Sequence, residues 1–419
     1  MQRLKSIQIQ IKEMLNSMQV NDKTFTIEKD NNIARKFIFI SIAGILLSLI
    51  GYYNDPRFFY SYLVCYLFFI TLSLGGLFFV LAHHVFGADW SVSLRRIAEN
   101  LMLLVPLMLF LSIPIILKFD TLYEWTSSDF WHYHHSLEAK KAYLNKNFFF
   151  IRMAIYFVIW FLLISRLYNL SIRQKSDEDK VKMKRTSAAG IAIFAITISF
   201  FSFDAMMSLD ATWFSTMFGV YIFSGCFLSA TAFVTLVALF LRSKGVLVDE
   251  INAKHYSNLG KVLFAFTVFW AYIGGFQYYI IWYANLPEEI YWFIQRWEGP
   301  WKYLSIVLIF GHFVVPFFVL IFNRLKRNRV VLGVMSAFIL IIHWLDMYWI
   351  VMPAYFRDSH GYIEADKLES LSVLSWTDLS ICLAMGGLLM AIFWRFFKAN
   401  SIVASNDSAY QESISEEEL

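Results

Sequence analysis

The sequence predicts an all-α integral membrane protein with ten transmembrane helices. Hydrophobic residues make up 58% of the 419 residues and aromatic residues 19%, whereas charged residues make up only 16%. Soluble domains carry about 25% charged residues. The apolar residues also form long runs, and a helix of about 20 residues crosses hydrocarbon roughly 30 Å thick. The chain is therefore expected to cross a membrane repeatedly.

Ten apolar runs define the expected helices. They lie at approximately 37–53, 58–85, 97–118, 148–171, 187–208, 212–241, 260–285, 302–323, 330–353 and 374–397. Their length is typical of membrane helices, since outer-membrane strands need only about 10 residues. Residues 1–36 are expected to form a soluble segment. Residues 398–419, rich in Ser and Glu, are expected to form a disordered acidic tail.

Lysine and arginine indicate which ends of the helices face the cytoplasm. Bases collect at Arg95 and Arg96 and within 173–185, 242–254 and 324–329. The positive-inside rule assigns these loops to the cytoplasm, and ten crossings then place both termini there. The longest outer segments, about 119–147 and 354–373, either dock an external partner or simply cover the helix ends.

Composition also excludes several classes of protein. The three cysteines, Cys65, Cys226 and Cys382, lie within apolar runs and have no ligand-like spacing. No disulfide framework, zinc site or cysteine-bound iron–sulfur cluster is therefore expected. The net charge of +4 is small, and the sequence contains no motif that recognises nucleobases. No nucleic-acid partner is therefore expected. The first 35 residues lack the apolar core of a cleaved presequence.

Two acids lie in the short joint between the fifth and sixth runs, within FDAMMSLDATWFSTMFGV at 203–220. Asp210 is interpreted as the N-cap of a helix beginning at about residue 211. Asp204 lies inside the apolar run, where an aspartate costs about 2.5 to 3.5 kcal/mol and is usually paired or functional. It is expected either to form a structural ion pair with Arg152 or to exchange protons with the exterior.

Glu99 is a third candidate acid, near the inner end of the third run. A proton route needs titratable groups at successive depths, because a bare proton cannot cross hydrocarbon. Glu99 follows Arg95 and Arg96 at helical spacing. It is expected either to pair with them or to belong to such a route.

Two histidines are expected at similar depth in the eighth and ninth runs. His312 and His343 each lie about ten residues from the outer end of their run, and Asp346 shares a helix face with His343 at i, i+3 spacing. The carboxylate is therefore expected to hold the His343 tautomer. Three interpretations remain open. The residues form a proton relay extended to Tyr278 and Gln277, or bind a haem b through the two histidines, or are core polar groups that hydrogen-bond between helices.

Five stretches taken together resemble a known family. They are GGLFFVLAHHVFGADWSVSLRRIAENL at 75–101, FFFIRMAIYFVIW at 148–160, FFSFDAMMSLDATWFSTMFGVYIFSG at 200–225, LGKVLFAFTVFWAYIGGFQYYIIWYANLPEE at 259–289 and HWLDMYWIVMP at 343–353. Over roughly residues 37–397 the chain resembles the NrfD, or polysulfide-reductase membrane-subunit, family. It looks most like the smaller of the two such subunits of bacterial alternative complex III, a quinol:cytochrome c oxidoreductase.

This resemblance implies an architecture and a set of partners. It implies two four-helix bundles, at about 58–208 and 212–353, flanked by the first and tenth helices. The partners would be an iron–sulfur protein on the outer face, a second NrfD-like membrane subunit and cytochrome c subunits, all in the bacterial inner membrane. Iron–sulfur clusters and haem c would belong to those partners. This chain would hold no redox metal or covalently bound cofactor, and a quinone or quinol is its candidate ligand.

The expected function is that of a non-autonomous membrane subunit of a respiratory quinol:cytochrome c oxidoreductase. The chain would contribute a quinone cavity and a proton-conducting route. One alternative is the quinone subunit of a polysulfide- or tetrathionate-type reductase, and another is a purely structural scaffold. A secondary transporter is a further alternative, although interrupted helices are not expected from the few prolines inside runs, Pro106, Pro114 and Pro316.

Overall fold

The structure is a computed structural model that describes residues 32–357 and 374–415. Within these ranges ten helices are long and apolar enough to span a membrane, and there is no β-strand. The prediction of an all-α integral membrane protein with ten spans is confirmed. The expected soluble segment up to residue 31 and most of the expected outer segment at 354–373 lie outside the described residues.

We number the ten membrane helices in chain order. They are α1 (Asn32–Asn54), α2 (Phe58–Phe86), α3 (Val92–Met102, continued by Val105–Leu111 and Ile113–Leu117), α4 (Lys146–Ile172), α5 (Asp177–Ala205), α6 (Phe218–Ser243), α7 (Ala253–Ala284), α8 (Trp301–Leu308, Ile309–Val314 and Val315–Leu320), α9 (Arg329–Val351) and α10 (Trp376–Ala399). The face at which α2, α4 and α6 end carries the loops rich in bases, and we call it the basic face.

The helices pack as two groups joined along a shared seam. Helices α2 to α5 contact one another, α6 to α9 contact one another, and α2 and α6 pack together at the centre. Helix α2 also contacts α9 and α10, and it is the most deeply buried of the ten spans. Polar side chains on α2 and α6 therefore lie in the protein interior rather than in lipid.

Helices α1 and α10 form the closest helix pair. Small residues line the buried side of α1, and a Cβ at Gly44 would overlap the backbone nitrogen of Ala384. In the other direction, a Cβ on Gly387 would lie 2.6 Å from the backbone nitrogen of Ser41. The Ser41 hydroxyl donates to the Ala384 carbonyl at 2.8 Å. Small residues allow such close approach between membrane helices.

Two of the spans are interrupted at prolines, so the expectation of unbroken helices is wrong. Helix α3 divides before Pro106 and again before Pro114. In α8, Ile309–Val314 form a π-helical turn directly before Pro316. Proline has no N–H to donate to the carbonyl four residues earlier, which for Pro316 is that of His312. A π-helical turn absorbs this change, and such turns are frequent at functional sites.

The prediction of a disordered tail does not hold for its described part. Residues 400–414 lie against the basic face, and Ile402, Val403 and Tyr410 are buried. Arg95 of α3 donates to Asp407 at 2.9 Å. The short helix Tyr410–Ser415 packs beside the start of α3. The apolar residues among the serines supply the buried contact, and Asp407 supplies an ionic one.

Candidate functional site

The candidate site is a buried cluster of two imidazoles and one carboxylate in the second helix group. His312 of α8 and His343 and Asp346 of α9 are each at most 1% exposed. The Nε2 atom of His312 lies 3.7 Å from Oδ2 of Asp346, and the two imidazole centroids are 6.3 Å apart. The three residues therefore meet at one depth, inside the protein.

Two neighbouring helices orient this cluster. Trp270 of α7 stacks on the His312 ring with centroids 4.0 Å apart, and its Nε1 donates to Oδ2 of Asp346 at 3.3 Å. Tyr221 of α6 donates its hydroxyl hydrogen to Oδ1 of Asp346. Both carboxylate oxygens thus accept a hydrogen bond from a ring that reaches across from another helix.

His343 is held by Thr71 of the first helix group, α2 to α5, rather than by Asp346. Its Nε2 lies 3.0 Å from Oγ1 of Thr71 on α2. The expectation that Asp346 sets the His343 tautomer is wrong, because the α9 helix directs the carboxylate toward Tyr221 and Trp270 instead. The Nδ1 atom of His343 and both ring nitrogens of His312 lack a hydrogen-bond partner among the described residues.

The geometry does not suit a haem between the two histidines. Trp270 covers one face of His312, and Phe68 lies against His343 with ring centroids 5.8 Å apart. A porphyrin needs open space between its two axial ligands, and aromatic side chains fill the space around these rings.

A cavity of about 580 Å³ adjoins the cluster. Tyr221 and Trp270 line it, so the same two rings contact both the cavity and Asp346. Its wall is mostly apolar and aromatic and includes Phe218, Tyr272, Gly274, Gly275, Trp292, Phe293, Leu308 and Phe313. Val268 of α7 and Ile309 of α8 line the cavity and are 37% and 47% exposed. The cavity therefore opens sideways, between α7 and α8, toward lipid.

Gln277 and Tyr278 line this cavity rather than the cluster. Gln277 is buried, whereas Tyr278 is 39% exposed and packs against Phe293 with ring centroids 5.2 Å apart. Neither residue makes a hydrogen bond to His312 or His343 in the described structure. The structure thus places both beside a ligand-sized space, where their polar atoms can face an occupant.

Aromatic and cationic side chains close the cavity at the face opposite the basic face. The guanidinium carbon of Arg296 lies 3.4 Å from the ring centroid of Trp292, which lines the cavity. Arg296 also donates to the carbonyls of Trp349 and Ile350 at the end of α9, at 3.2 and 3.1 Å. This arginine satisfies carbonyls that the helix end leaves without partners.

Asp210 belongs to this closing layer and does not cap α6. Helix α6 begins at Phe218, well beyond the expected start. Oδ2 of Asp210 lies 2.8 Å from the guanidinium of Arg357, and Oδ1 accepts from the backbone N–H of Thr212 at 3.3 Å. The N-cap interpretation is wrong because residues 211–217 turn along the membrane face before the helix starts.

Arg152 and Asp204 form a buried pair in the first helix group. Arg152 donates to both oxygens of Asp204, at 2.9 and 2.8 Å, and the Tyr156 hydroxyl donates to the same carboxylate at 2.8 Å. The guanidinium carbon of Arg152 lies 3.8 Å from the ring centroid of Tyr143, and Nη1 of Arg152 donates to the Tyr143 carbonyl at 3.0 Å. With its oxygens occupied, Asp204 links α4 to α5.

Glu99 is bound within a second, separate ionic group near the basic face. Its oxygens lie 3.1 Å from Nε of Arg95 and 2.8 Å from Nη1 of Arg96, and the hydroxyl of Ser171 donates to it at 2.6 Å. Through Arg95 this group reaches Asp407 of the tail. No direct hydrogen bond connects Glu99 or Asp204 with the histidine cluster in the described ranges. The predicted proton route is thus divided into three separate groups.

Sequence reasoning missed three residues of the site: Thr71, Tyr221 and Trp270. Each is an ordinary membrane-helix residue, and only the packing of α2, α6 and α7 around α9 brings them to the cluster. Comparison with known proteins adds no further assignment. No protein-family model and no curated protein matches this sequence.

Proposed function

We propose that this chain is a membrane subunit of a respiratory quinol:cytochrome c, or other acceptor, oxidoreductase of the NrfD-like type, in the bacterial cytoplasmic membrane with both termini cytoplasmic. The observation that supports this most is the contact between the cavity and Asp346 through Tyr221. A quinol oxidase site needs an apolar pocket and an adjacent group that accepts protons. The resemblance of the five quoted stretches agrees with this proposal.

The cavity suits a lipid-soluble aromatic substrate. Its volume of about 580 Å³ lies within the range of small-molecule sites, which is roughly 300 to 1,000 Å³. The opening beside Val268 and Ile309 allows a quinol to enter from the bilayer. Gln277 and Tyr278 supply polar atoms for the quinol oxygens, and Trp270 and Trp292 in the cavity wall supply ring contacts.

Tyr221 is the residue that would take the first proton. Oxidation of a quinol to a quinone releases two protons and two electrons. As the phenolic oxygen of Tyr221 accepts a proton from the quinol hydroxyl, the hydrogen that Tyr221 donates to Asp346 passes to that carboxylate. His312, 3.7 Å from Asp346, is the next group able to accept it. This transfer leaves Asp346 ionised and Tyr221 protonated again, so the second proton would follow the same route. The electrons leave to an acceptor in a partner subunit.

The partners in this proposal are an iron–sulfur protein at the face opposite the basic face, a second NrfD-like subunit and cytochrome c subunits. The aromatic layer around Trp292 and Arg296 closes the cavity at that face. A partner bound there would approach the quinol ring closely. The chain would therefore act only within a complex, and the metal centres that carry electrons would be those of its partners.

Quinone binding to the purified full chain tests the proposal. A quinone analogue should quench tryptophan fluorescence, because Trp270, Trp292, Trp297 and Trp349 all line the cavity. A Cβ on Gly275 would meet no atom within 4 Å, so Gly275→Phe would place its ring in the cavity and should abolish the quenching. The control is Val334→Phe, since Val334 of α9 is 62% exposed and does not line the cavity. This variant should bind the quinone analogue normally. Equal quenching in the Gly275 variant would contradict the proposal.

The alternative partner set of a polysulfide- or tetrathionate-type reductase uses the same cavity. Proteins that co-purify with the chain distinguish the two, since only one set contains haem c. The interrupted helices α3 and α8 bear on a transporter as well, but they occupy different positions in their two groups, whereas transporter repeats interrupt corresponding helices. Solute uptake by the chain alone in liposomes would favour transport over quinol oxidation.

A further inference from the structure

The donor atoms of His312, His343 and Asp346 lie close enough together to bind one metal ion. One ligand atom from each residue lies within 4.8 Å of the others, and all three residues are buried. A tetrahedral zinc ion with bonds of about 2.0 to 2.2 Å holds its ligand atoms roughly 3.3 Å apart. Nε2 of His312 and Oδ2 of Asp346 are already 3.7 Å apart. A shift of a few tenths of an ångström would bring this pair to ligand spacing.

The hydrogen bonds of Thr71 show which nitrogen of His343 is free to bind. The single hydroxyl hydrogen of Thr71 points to the carbonyl of Leu67, at 2.7 Å. Its oxygen must then accept the hydrogen on Nε2 of His343, at 3.0 Å. This assigns the neutral tautomer with a lone pair on Nδ1. That atom has no partner among the described residues.

His312 has more unused binding capacity than any other buried side chain of the cluster. Neither of its ring nitrogens has a hydrogen-bond partner within the part of the chain that the structure describes, and the residue is 0% exposed. A buried polar atom left unpaired is costly, and native structures usually satisfy it with water, an ion or another group. His312 therefore points to an occupant that binds through nitrogen.

Surrounding side chains hold the three ligands as a metal site requires. Metal-binding histidines usually donate their second ring N–H to an acceptor, as His343 does to Thr71. Tyr221 and Trp270 each donate to the Asp346 carboxylate, and Trp270 also fixes the plane of the His312 ring. The ligands are thus oriented before any ion binds.

We propose that His312, His343 and Asp346 form a binding site for a divalent transition-metal ion, with Zn²⁺ as the ion that fits best. Two imidazole nitrogens and one carboxylate oxygen are ligands that Zn²⁺ and Fe²⁺ share. The close packing of Trp270 and Phe68 around the rings favours the four-coordinate geometry of zinc. The ion would also balance the buried Asp346 charge. It would occupy the carboxylate that the proposed quinol chemistry uses, so bound Zn²⁺ would block that chemistry.

Metal binding to the purified, chelator-treated full chain tests this site without any assay of quinol oxidation. Elemental analysis after incubation with Zn²⁺ or Fe²⁺ should find one ion per chain, and Co²⁺ should give the strong visible absorption of a tetrahedral site. His312→Gln, His343→Gln and Asp346→Asn should each weaken binding by more than about 100-fold. Thr71→Val, which removes only the hydrogen bond to His343, should weaken binding by about 10- to 100-fold.

The exposed residues His132, His135 and Glu138 provide the matched control for surface binding. His132→Gln with His135→Gln should leave the affinity unchanged. Circular dichroism should confirm that each variant keeps its helices. If a histidine variant does not fold, the near-isosteric Asp346→Asn tests the site in its place. Binding of one Fe²⁺ per chain, with no binding of Zn²⁺, would support the metal site but identify iron as its ion. No bound ion, or an affinity unchanged by Asp346→Asn and both histidine changes, overturns the proposal whether or not quinone binds.

Discussion

Arg152 donates to both carboxylate oxygens of Asp204, and each residue is at most 6% exposed. Removing one partner leaves a buried charge unpaired, which typically costs about 3 to 5 kcal/mol. We expect Asp204→Asn and Arg152→Met each to lower the free energy of unfolding by about that amount, measured by denaturant titration in detergent. The double change Arg152→Met with Asp204→Leu should recover most of the loss, since no charge is then buried alone.

The exposed ion pair of Lys146 and Asp120 is the control for this measurement. Its side chains are 47% and 65% exposed, and its atoms are 2.7 Å apart. Pairs in contact with solvent contribute about 0 to 1 kcal/mol, so Lys146→Met should have little effect. A normal free energy of unfolding for Asp204→Asn would show that the charge of Asp204 does not stabilise the fold. That result would favour proton exchange as the role of Asp204.

Thr71 connects α2 to His343 of α9, and Thr71→Val keeps the shape of the side chain while removing the hydrogen bond. The Nε2–H of His343 would then be buried without an acceptor, at a cost of about 1 to 3 kcal/mol. Thr231 of α6 is equally buried, but its hydroxyl donates only to the carbonyl of Phe227 within its own helix, at 2.8 Å. Thermal unfolding should separate the two valine variants. Equal loss would mean that the bond between helices adds nothing.

The contact between α1 and α10 depends on glycine at the crossing. A side chain at Gly387 would meet the backbone of α1, so we expect Gly387→Leu to separate the two helices. Ser48 and Ser380 have hydroxyl oxygens 3.2 Å apart, and cysteines at these two positions should form a disulfide in the parent chain. Mass spectrometry should find this disulfide lost in Gly387→Leu. It should persist in Leu46→Phe, a change on the 59% exposed side of α1.

The contact of the tail with the basic face should depend on pH through Asp407. Burial raises the pKa of the Asp407 carboxyl, but the charge of Arg95 and the backbone N–H of Ala409 together lower it more, so the net pKa lies below the ordinary value for an aspartate. A lowered pKa in the folded state stabilises the contact above the unfolded pKa, and this stabilisation is lost as pH falls through the folded pKa. We expect the tail to be protected from protease at pH 5 to 8 and released below about pH 4.

Asp407→Asn should expose the tail to protease already at neutral pH and remove the acid transition. The control is Asp89→Asn, since Asp89 is half exposed and its ion pair with Lys180 is 3.5 Å long. An acid transition that persists in Asp407→Asn would assign it to another group and would contradict this account of the tail.

Part of the fold and part of the histidine cluster could be predicted from the sequence. The ten spans follow from the length of the apolar runs, and the meeting of His312 and His343 follows from their equal depth in antiparallel neighbours. The position of Thr71 beside His343 could not be predicted, because hydrophobicity does not say that α2 packs against α9. The packed tail was missed because its few apolar residues lie among serines, and composition cannot show the surface that buries them.

The pairing of α1 with α10 also determines the order in which the molecule can be completed. Of the ten helices, α1 emerges from the ribosome first, and it packs almost entirely against the one that emerges last. During synthesis α1 therefore enters the bilayer without its partner, and its row of small residues faces lipid. About 320 further residues are made before α10 begins. A chain whose translation stops before α10 therefore leaves α1 without its main packing partner.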